Sequence, residues 1–587
     1  MYQVTDKCLL CRYPYACIYN CPAEAIFNNG NHAEIDQDKC IHCGKCVGIC
    51  NLCAIIDTDA PEEVVVPHDL VERDCDILIL GGGAAGLIAA LRASEQCTGK
   101  ILVLEKAKKP GGCGIYSSAL RMFDTQWEKD HGNPEQMDDY IRSAFNTTRG
   151  LLNPQLIANG FRAIPRFFDW FCQWGDAEKG FKYDDEHPLQ GMRVTSILPD
   201  NAGHYIMGKV IQQLRQKGVE ILTETAATEF IMEKGRVAGV RASDPGGNLT
   251  IHCKTCLVAM GNIGNNQQIL DRYVPEYGAA YKRPTMHLLP TCTGDFIPMA
   301  EKAGIPIDEA SIVPAYLGPM NTMFNMQTMM QPARPDVLNV NMEGKRWKSE
   351  SFRGEACNWL LLKQPQAVTW AILDTPLACN PPKSAPPVLF DNSFGRMISN
   401  GVPDQNGNPK SAANVMNLGP AGGLPAQPGA TSEGIIAGIE AAIAVKGKYV
   451  VKGDTIEELA ANMGVPYENL KATIDRYNEL CKKGHDDDFF KQSDLMIPIE
   501  TGPFYAFHCH MGTDGVFGGF YIDENMRVIG TDGPIPGLYA AGDNTGGRYV
   551  NQGGEKKQII NDFSWAVGSG MLAGENMATY WNQLVNE

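Results

Sequence analysis

Eight cysteines within the first fifty residues fall into two spaced sets. The first, in "KCLLCRYPYACIYNCPAEAI", is Cys8, Cys11, Cys17 and Cys21, with Pro22 following. The second, in "DKCIHCGKCVGICN", is Cys40, Cys43, Cys46 and Cys50. The run C-x2-C-x2-C-x3-C lets three thiolates of a tight loop grip one iron–sulfur cube, while the fourth, at the start of a helix, reaches across to another cube. That crossing assigns Cys8, Cys11, Cys17 and Cys50 to one [4Fe–4S] cluster, and Cys40, Cys43, Cys46 and Cys21 to the second. CxxC pairs also suit tetrahedral zinc, but two consecutive sets with a crossed fourth cysteine favour iron. Cys53 reads as a small buried apolar residue. The later Cys253 and Cys256 form a CxxC in a strand-like stretch and read as structural.

The stretch resembles a bacterial two-cluster ferredoxin, with two departures. Five residues separate Cys11 from Cys17, an insertion similar to one in the iron–sulfur subunit of adenylylsulfate reductase. The second set ends in Cys50-Asn51 where the ferredoxin pattern has Cys-Pro.

A second chemistry follows after a Pro- and acid-rich linker. The apolar run Cys75–Leu80 leads into Gly81-Gly82-Gly83-Ala84-Ala85-Gly86 and a helical "LIAALRASE". This is G-x-G-x-x-G between a strand and a helix. Gly81 allows the turn, Gly83 admits a pyrophosphate, Gly86 lets helix and strand pack, and the helix N-terminus faces the phosphates. The next strand, "KILVLEKA", ends at Glu105, nineteen residues past Gly86, where a carboxylate accepts ribose hydroxyls. "KKPGGCGIYSSAL", with Gly111, Gly112, Ser117 and Ser118, looks like the flavin-wrapping loop of FAD enzymes. Downstream, "IPGLYAAGDNTGG" ends a strand at Gly542 and Asp543, placing an acid near a flavin ribityl chain. Ala84, Ala85, Lys106 and Ala227 complete the cofactor-binding set. No second complete G-x-G-x-x-G follows a strand, so electrons are expected to arrive through iron–sulfur clusters rather than a nicotinamide.

The bulk properties set outer limits. A chain of 587 residues exceeds one hydrophobic core. A net charge of −17 repels phosphate backbones, which argues against a nucleic-acid partner. No run of about 18 apolar residues suggests a membrane span, and the N-terminus lacks a signal-peptide pattern. A cytoplasmic protein without direct membrane insertion is expected. Of 20 cysteines, nine lie in the first 53 residues, a clustering that suits metal rather than disulfides.

Over residues 73–587 the chain is similar to the flavoprotein family of fumarate reductase, succinate dehydrogenase and 3-ketosteroid dehydrogenase. The resemblance rests on "ILILGGGAAGLIAA", "VLEKAKKPGG", "VNMEGKRWKSE", "GPFYAF", "VFGGFYIDENMRVIG", "IPGLYAAGDNTGG" and "LAGENMA". It implies an α/β FAD-binding Rossmann-like domain, split by an inserted α+β capping domain. The expected organisation is a 2[4Fe–4S] ferredoxin-like domain at 1–60 and a linker at 61–72. The first FAD-binding segment follows at 73–280, the cap at 281–502 with a helical segment 455–483, and the second FAD-binding segment at 503–587. Within the helical segment, Thr455 reads as a helix cap with Glu458 closing a capping box.

The resemblance further implies hydride transfer from flavin to one carbon of a polarised double bond and a proton from an arginine. Arg353 in "VNMEGKRWKSESFRGE" matches that arginine, one residue nearer the KR pair than in fumarate reductases. Alternatively, Arg353 pairs with Glu350 or Glu355 on the surface. Fumarate reductases resupply the arginine through a Glu and an Arg whose places here hold Met330 and Ala333, with Arg334 nearby. Their carboxylate-binding His and Arg positions carry Tyr316, Gly515 and Asn551. A buried dicarboxylate needs charged partners, so the expected substrate is a non-dicarboxylate enoate or enone. Tyr316, Tyr505 and Tyr549 are candidates to polarise its carbonyl; His508 and His510 alternate along a strand. An external one-electron donor (ferredoxin, flavodoxin or a partner redox subunit) would supply the clusters, within a homo- or hetero-oligomer. The alternatives are the reverse dehydrogenation, an FAD/iron–sulfur electron-transfer subunit, or sulfur chemistry resembling adenylylsulfate reductase.

Overall fold

A computed structural model gives the fold. It describes all residues but 9–16, 18–20, 29–32, 51, 62–63, 118–119, 121–123, 131–136, 148–151, 178–180, 184–193, 197–201, 276–288, 322–335, 352–359, 380–435, 437–438, 441–442, 445–448, 548, 553–554, 559–561 and 587. The chain divides into two compact units. One holds Met1–Thr58, Ala279–Met286 and Tyr316–Asp514; the other holds Asp59–Gly278, His287–Ala315 and Gly515–Glu587.

The N-terminal region of the first unit is built from short ladders. Strands β1 (Tyr2–Val4), β2 (Ile26–Asn28) and β3 (Ala33–Ile35) precede helix α1 (Lys45–Ile49) and β4 (Ile55–Asp57). β1 pairs antiparallel with β4, and β2 with β3. Their inward residues Ile26, Ala33, Ile35 and Ile55 form a small core with Cys46, and Cys8, Cys17, Cys21, Cys40 and Cys50 pack against it. Gly44, with φ of 73°, starts α1, and the Cys50 N–H closes it on the Cys46 carbonyl. Cys50 therefore ends a helix, whereas the spacing suggested that it opens one: the glycine turn starts the helix early and its single turn is spent by Ile49.

The rest of this unit carries a sheet in which Phe504–Phe517 pairs with Val368–Asp374, Val450–Gly453 and Val313–Asn321, and Leu338–Asn341 lies beyond Val368–Asp374. Helices Ile456–Met463 and Tyr467–Lys483 bury Leu459, Leu470, Ile474 and Tyr477 against one face. The Thr455 hydroxyl accepts the Glu458 N–H at 3.2 Å, and the Glu458 carboxylate reaches back to the Asp454 N–H at 2.8 Å. The capping box forms, closing one residue further back than the usual pattern.

The second unit is organised by strands β5 (Ile77–Leu80), β6 (Ile101–Leu104), β7 (Glu220–Leu222), β8 (Thr255–Val258), β9 (Arg527–Gly530) and β10 (Gly533–Ala540). They form one sheet in the order β7-β6-β5-β8-β10-β9, parallel except for β9. β5, β6 and β8 are buried along their whole length, which is why they read as continuous apolar runs. Helix α2 (Ala84–Gln96) follows β5, and helix α3 (Asp562–Asn586) lies along it. Cβ atoms built on Gly570 and Gly574 would stand 2.5 Å from the carbonyls of Ala85 and Ala89. Small residues thus set that close packing. β10, more than 270 residues beyond β8 in the chain, completes the sheet beside it.

Candidate functional site

The turn from β5 into α2 is shaped by three glycines for three reasons. Gly81 has φ of 106°, and a Cβ there would lie 2.1 Å from the Ala259 carbonyl at the end of β8. A Cβ on Gly86 would strike the Gly81 carbonyl at 2.0 Å. On Gly83 it would meet nothing nearer than Gly112 Cα at 3.9 Å. This open side lies at the head of α2, whose N-cap, Gly83, offers no side chain to its first-turn N–H groups. Uncapped helix N–H groups beside an open backbone face fit a pyrophosphate, so the cradle fits FAD.

The other predicted cofactor residues gather around this turn. The Gly111 N–H donates to the Gly82 carbonyl at 2.7 Å. Gly111 and Gly112 have φ of 128° and 55°, and the turn Gly112–Tyr116 runs on to Ser117. Glu105, at the end of β6, is buried; its Oε2 accepts the Gly82 N–H at 2.8 Å and its Oε1 the Ala107 N–H at 2.6 Å. Burial pushes this carboxyl above its ordinary range against those two hydrogen bonds. Gly542, with φ of 70°, donates its N–H to Ser569 Oγ at 3.0 Å, and a Cβ there would touch Ala85 Cβ at 3.1 Å. That contact places Asp543 beside the first turn of α2. Lys106 turns its ammonium to Asp295 Oδ2 at 2.7 Å and to Thr293. Ala227 lies buried on Ala226–Glu233, opposite Ala242. Ser118 lies outside the described residues.

Sequence reasoning missed two features here. Asn544 is fully buried, accepting from the Met260 N–H and donating to the Gly261 carbonyl, so it ties the Gly-Asp turn to the end of β8. Cys113 and Cys292 face each other with their sulfurs 3.4 Å apart. Neither has a local signature, because each partner lies far away in the chain.

In the first unit, Cys21, Cys40, Cys43 and Cys46 line one cavity together with Pro22 and Gly44. Backbone N–H groups of Ala33, Ala25 and Ala54 each reach a sulfur at 3.3 Å, those of Cys8, Cys21 and Cys50 respectively. Cys11 lies outside the described residues. Among the described residues no group of three or more His, Cys, Asp or Glu side chains is arranged to hold a single metal ion.

Of the candidate catalytic residues, Arg353 lies outside the described residues. Tyr316 and Tyr549 stand on strands Val313–Asn321 and Tyr549–Gln552, in the first and second unit respectively. Tyr505 is buried in a hydrophobic cluster, and its hydroxyl donates to Glu440 Oε1 at 3.4 Å. The His508 ring packs edge-on against Trp370 and Tyr449. Gly515 has φ of 145°, a conformation that side-chain-bearing residues rarely adopt. Glu350 is fully buried and holds the Arg346 guanidinium through both oxygens, at 3.1 and 2.8 Å. Glu350 is therefore a core acid and not a surface one. Among the described residues no helix is long and apolar enough to cross a membrane.

Comparison with known proteins places these features in a family. Residues 76–554 match the FAD binding domain family. The chain is 26% identical to a vinyl phenol reductase of Lactiplantibacillus plantarum, over 86% of this chain and 97% of that protein. It is 25% identical to an NADH:acrylate oxidoreductase of Vibrio harveyi, over 88% of this chain but only 52% of that longer protein. Its fold is that of the open conformation of a flavocytochrome c3 fumarate reductase, with a TM-score of 0.64 at 20% identity, covering 87% of this chain and 79% of the other. With its glycine cradle and the buried Glu105 beside it, the chain belongs to the FAD binding domain family and is an FAD-dependent oxidoreductase.

Proposed function

We propose that the protein is an iron–sulfur flavoenzyme that reduces an activated carbon–carbon double bond of a non-dicarboxylate enoate or enone. The observation that carries this reading is the similarity along nearly the whole length of a vinyl phenol reductase, a protein named for an alkene without carboxylates. Gly515 supports it: its φ of 145° is one that a histidine, the residue the resemblance to fumarate reductases places there, rarely adopts. Asn551 and Tyr316 replace two further polar anchors.

When bound, FAD would supply the hydride for one alkene carbon, and [4Fe–4S] clusters would pass it single electrons from an external donor. Cys8, Cys11, Cys17 and Cys50 would hold one cluster, and Cys21, Cys40, Cys43 and Cys46 the other. The cavity lined by the second set supports this assignment. So do the backbone N–H groups that reach the sulfurs of Cys8, Cys21 and Cys50, since hydrogen bonds to the ligand sulfurs are a feature of iron–sulfur sites. A cube binds each thiolate at a different corner, so its ligands stand farther apart than those of one ion, in keeping with the absence of a single-ion site among the described residues. Arg353 protonates the neighbouring carbon, and Tyr316 and Tyr549 hydrogen-bond the carbonyl that activates the alkene.

An anaerobic screen tests the reading. The holoenzyme, reduced with dithionite, is mixed with enoates, enones, aryl acrylates and fumarate while flavin absorbance is followed. At least one monocarboxylate or neutral alkene should reoxidise the flavin faster than fumarate does. Arg353→Ala should keep flavin reduction and lose reoxidation by that alkene. Fumarate as the best oxidant, or full turnover in R353A, would overturn the assignment.

A further inference from the structure

The pair Cys113 and Cys292 lies in the second unit, 179 positions apart in sequence. Their sulfurs share a hydrogen at 3.4 Å, and the Leu289 N–H also points at Cys113 Sγ, at 3.5 Å. Cys292 is buried, whereas Cys113 is only half-buried. Cys113 sits in the Gly112–Tyr116 turn, where a Cβ on Gly112 would press to 2.8 Å from Gly83 Cα. Cys292 sits in a turn fastened by its own carbonyl to the Asn265 N–H at 2.9 Å, and through Thr293 to Lys106. Two thiols at van der Waals contact, one reachable and one sealed, are arranged for oxidation in sequence.

We propose that Cys113 and Cys292 form a reversible disulfide on exposure to hydrogen peroxide, and that the bond fastens the Gly112–Tyr116 turn, which packs on the head of α2, to the turn that carries Cys292. The half-buried Cys113 sulfur attacks the peroxide; the O–O bond breaks, one water leaves, and Cys113 becomes a sulfenic acid. The Cys292 sulfur then attacks the Cys113 sulfur, the S–OH bond breaks, and a second water leaves with the Cys292 proton. Two thiols lose two electrons and two protons in all, and one peroxide becomes two waters. The hydrogen bond to Cys113, and then burial, hold the Cys292 thiol above its ordinary range, so it stays protonated and does not compete with Cys113 for the peroxide.

The clamping half of the proposal rests on the reading that this turn wraps FAD. The anaerobically purified holoenzyme is treated with equimolar hydrogen peroxide, alkylated and digested without reductant. A linked peptide joining Cys113 to Cys292, lost on dithiothreitol treatment, is the expected product. In Cys292→Ser the resolving thiol is gone, so Cys113 should be recovered as the sulfenic acid, trapped as its dimedone adduct. Release of FAD on dilution, followed by flavin fluorescence, should slow about tenfold in the linked protein and recover with dithiothreitol. Recovery of both thiols alkylated in the wild type, or links only to other cysteines, overturns the pair. A formed link with unchanged FAD release overturns the clamp. Gly112→Val separates the two readings: unaltered FAD affinity in that variant removes the turn from the FAD site and leaves the peptide map standing.

Discussion

The Glu350 carboxylate lies 3.4 Å from the Lys491 ammonium, and both side chains are sealed from solvent. Around them, Arg346 bridges Glu350 and Asp486, stacked between Tyr477 and Phe489. Lys491 also donates to the Tyr477 hydroxyl at 2.8 Å and the Val337 carbonyl at 2.9 Å. Buried ions of this kind contribute through mutual pairing, and removing one member strands the rest. Glu350 faces two cations, so Glu350→Gln should destabilise the fold by about 3–5 kcal/mol, read from a denaturant titration. Lys491→Met leaves Glu350 gripped by Arg346 and should cost less than half as much. Equal losses in the two variants would show that Arg346 does not hold Glu350 alone.

Lys491 also sets a dependence at alkaline pH. Burial pulls its pKa down to about 8 from 10.5, against the attraction of Glu350. Between those two values the unfolded chain binds more protons than the folded one, so this residue's contribution to stability rises with pH across that window. The difference in melting temperature between wild type and K491M should therefore shift in favour of the wild type from pH 8 to pH 10. A constant difference would mean the amine is neutral, or fully charged, throughout.

Asp486 has the opposite sign. Its carboxylate accepts the Arg346 guanidinium at 2.7 Å and the N–H groups of Asp488, Phe489 and Lys491, and its pKa falls to about 2 from 3.8 against the cost of burial. A depressed carboxylate contributes stability that is complete above the unfolded pKa and vanishes as pH falls through the folded one. Asp486→Asn should cost about 2 kcal/mol at pH 7, and the deficit should shrink between about pH 4 and pH 2. A deficit independent of pH would assign the loss to hydrogen-bond geometry alone.

These buried ions show what was legible in the sequence and what was not. The G-x-G-x-x-G turn is legible because each glycine answers a steric demand made within a few residues: Gly81 by its φ, Gly86 by the carbonyl five positions back. The uninterrupted apolar runs of β5, β6 and β8 announce a parallel sheet covered on both faces. Glu350 is different. It reads as a surface acid, because nothing nearby reveals that Lys491, some 140 residues away, meets it in the core and that Asp486 shares its Arg346 partner. Asn544 meets Gly261 across 283 positions and is equally silent. Local sterics leave a pattern in sequence; pairing over long loops leaves none without the fold.

Glu105 and Gly112 separate two contributions to FAD binding. Each Glu105 oxygen accepts one backbone N–H, so Glu105→Gln, whose amide nitrogen cannot accept, gives up one of these bonds together with the anionic acceptor proposed for a ribose hydroxyl. A charged hydrogen bond exchanged for a neutral one should weaken FAD about tenfold, a cost of about 1.5 kcal/mol. Gly112→Val acts through the backbone. A Cβ there would stand 2.8 Å from Gly83 Cα, at a φ of 55° that branched residues avoid, so the turn must open. FAD should be lost on purification while the chain remains folded by circular dichroism. Retention of FAD in G112V would move the cofactor away from this turn.

Cys43 offers the sharpest test of the two-cluster assignment, because it is exposed and can be changed without emptying the small core behind it. It lines the cavity with Cys21, Cys40 and Cys46, and serine is a poor ligand for a cube that prefers soft thiolates. The wild-type protein, purified without oxygen, should contain about eight iron atoms per chain, and Cys43→Ser about four. Cys53 is the internal control, since it belongs to neither set; C53S should keep the full complement. Electron paramagnetic resonance of the dithionite-reduced proteins should show two interacting clusters in the wild type and an isolated signal in C43S. Zinc in place of iron, or equal iron loss in C43S and C53S, would remove the clusters from this chain and leave its flavin without the proposed electron entry.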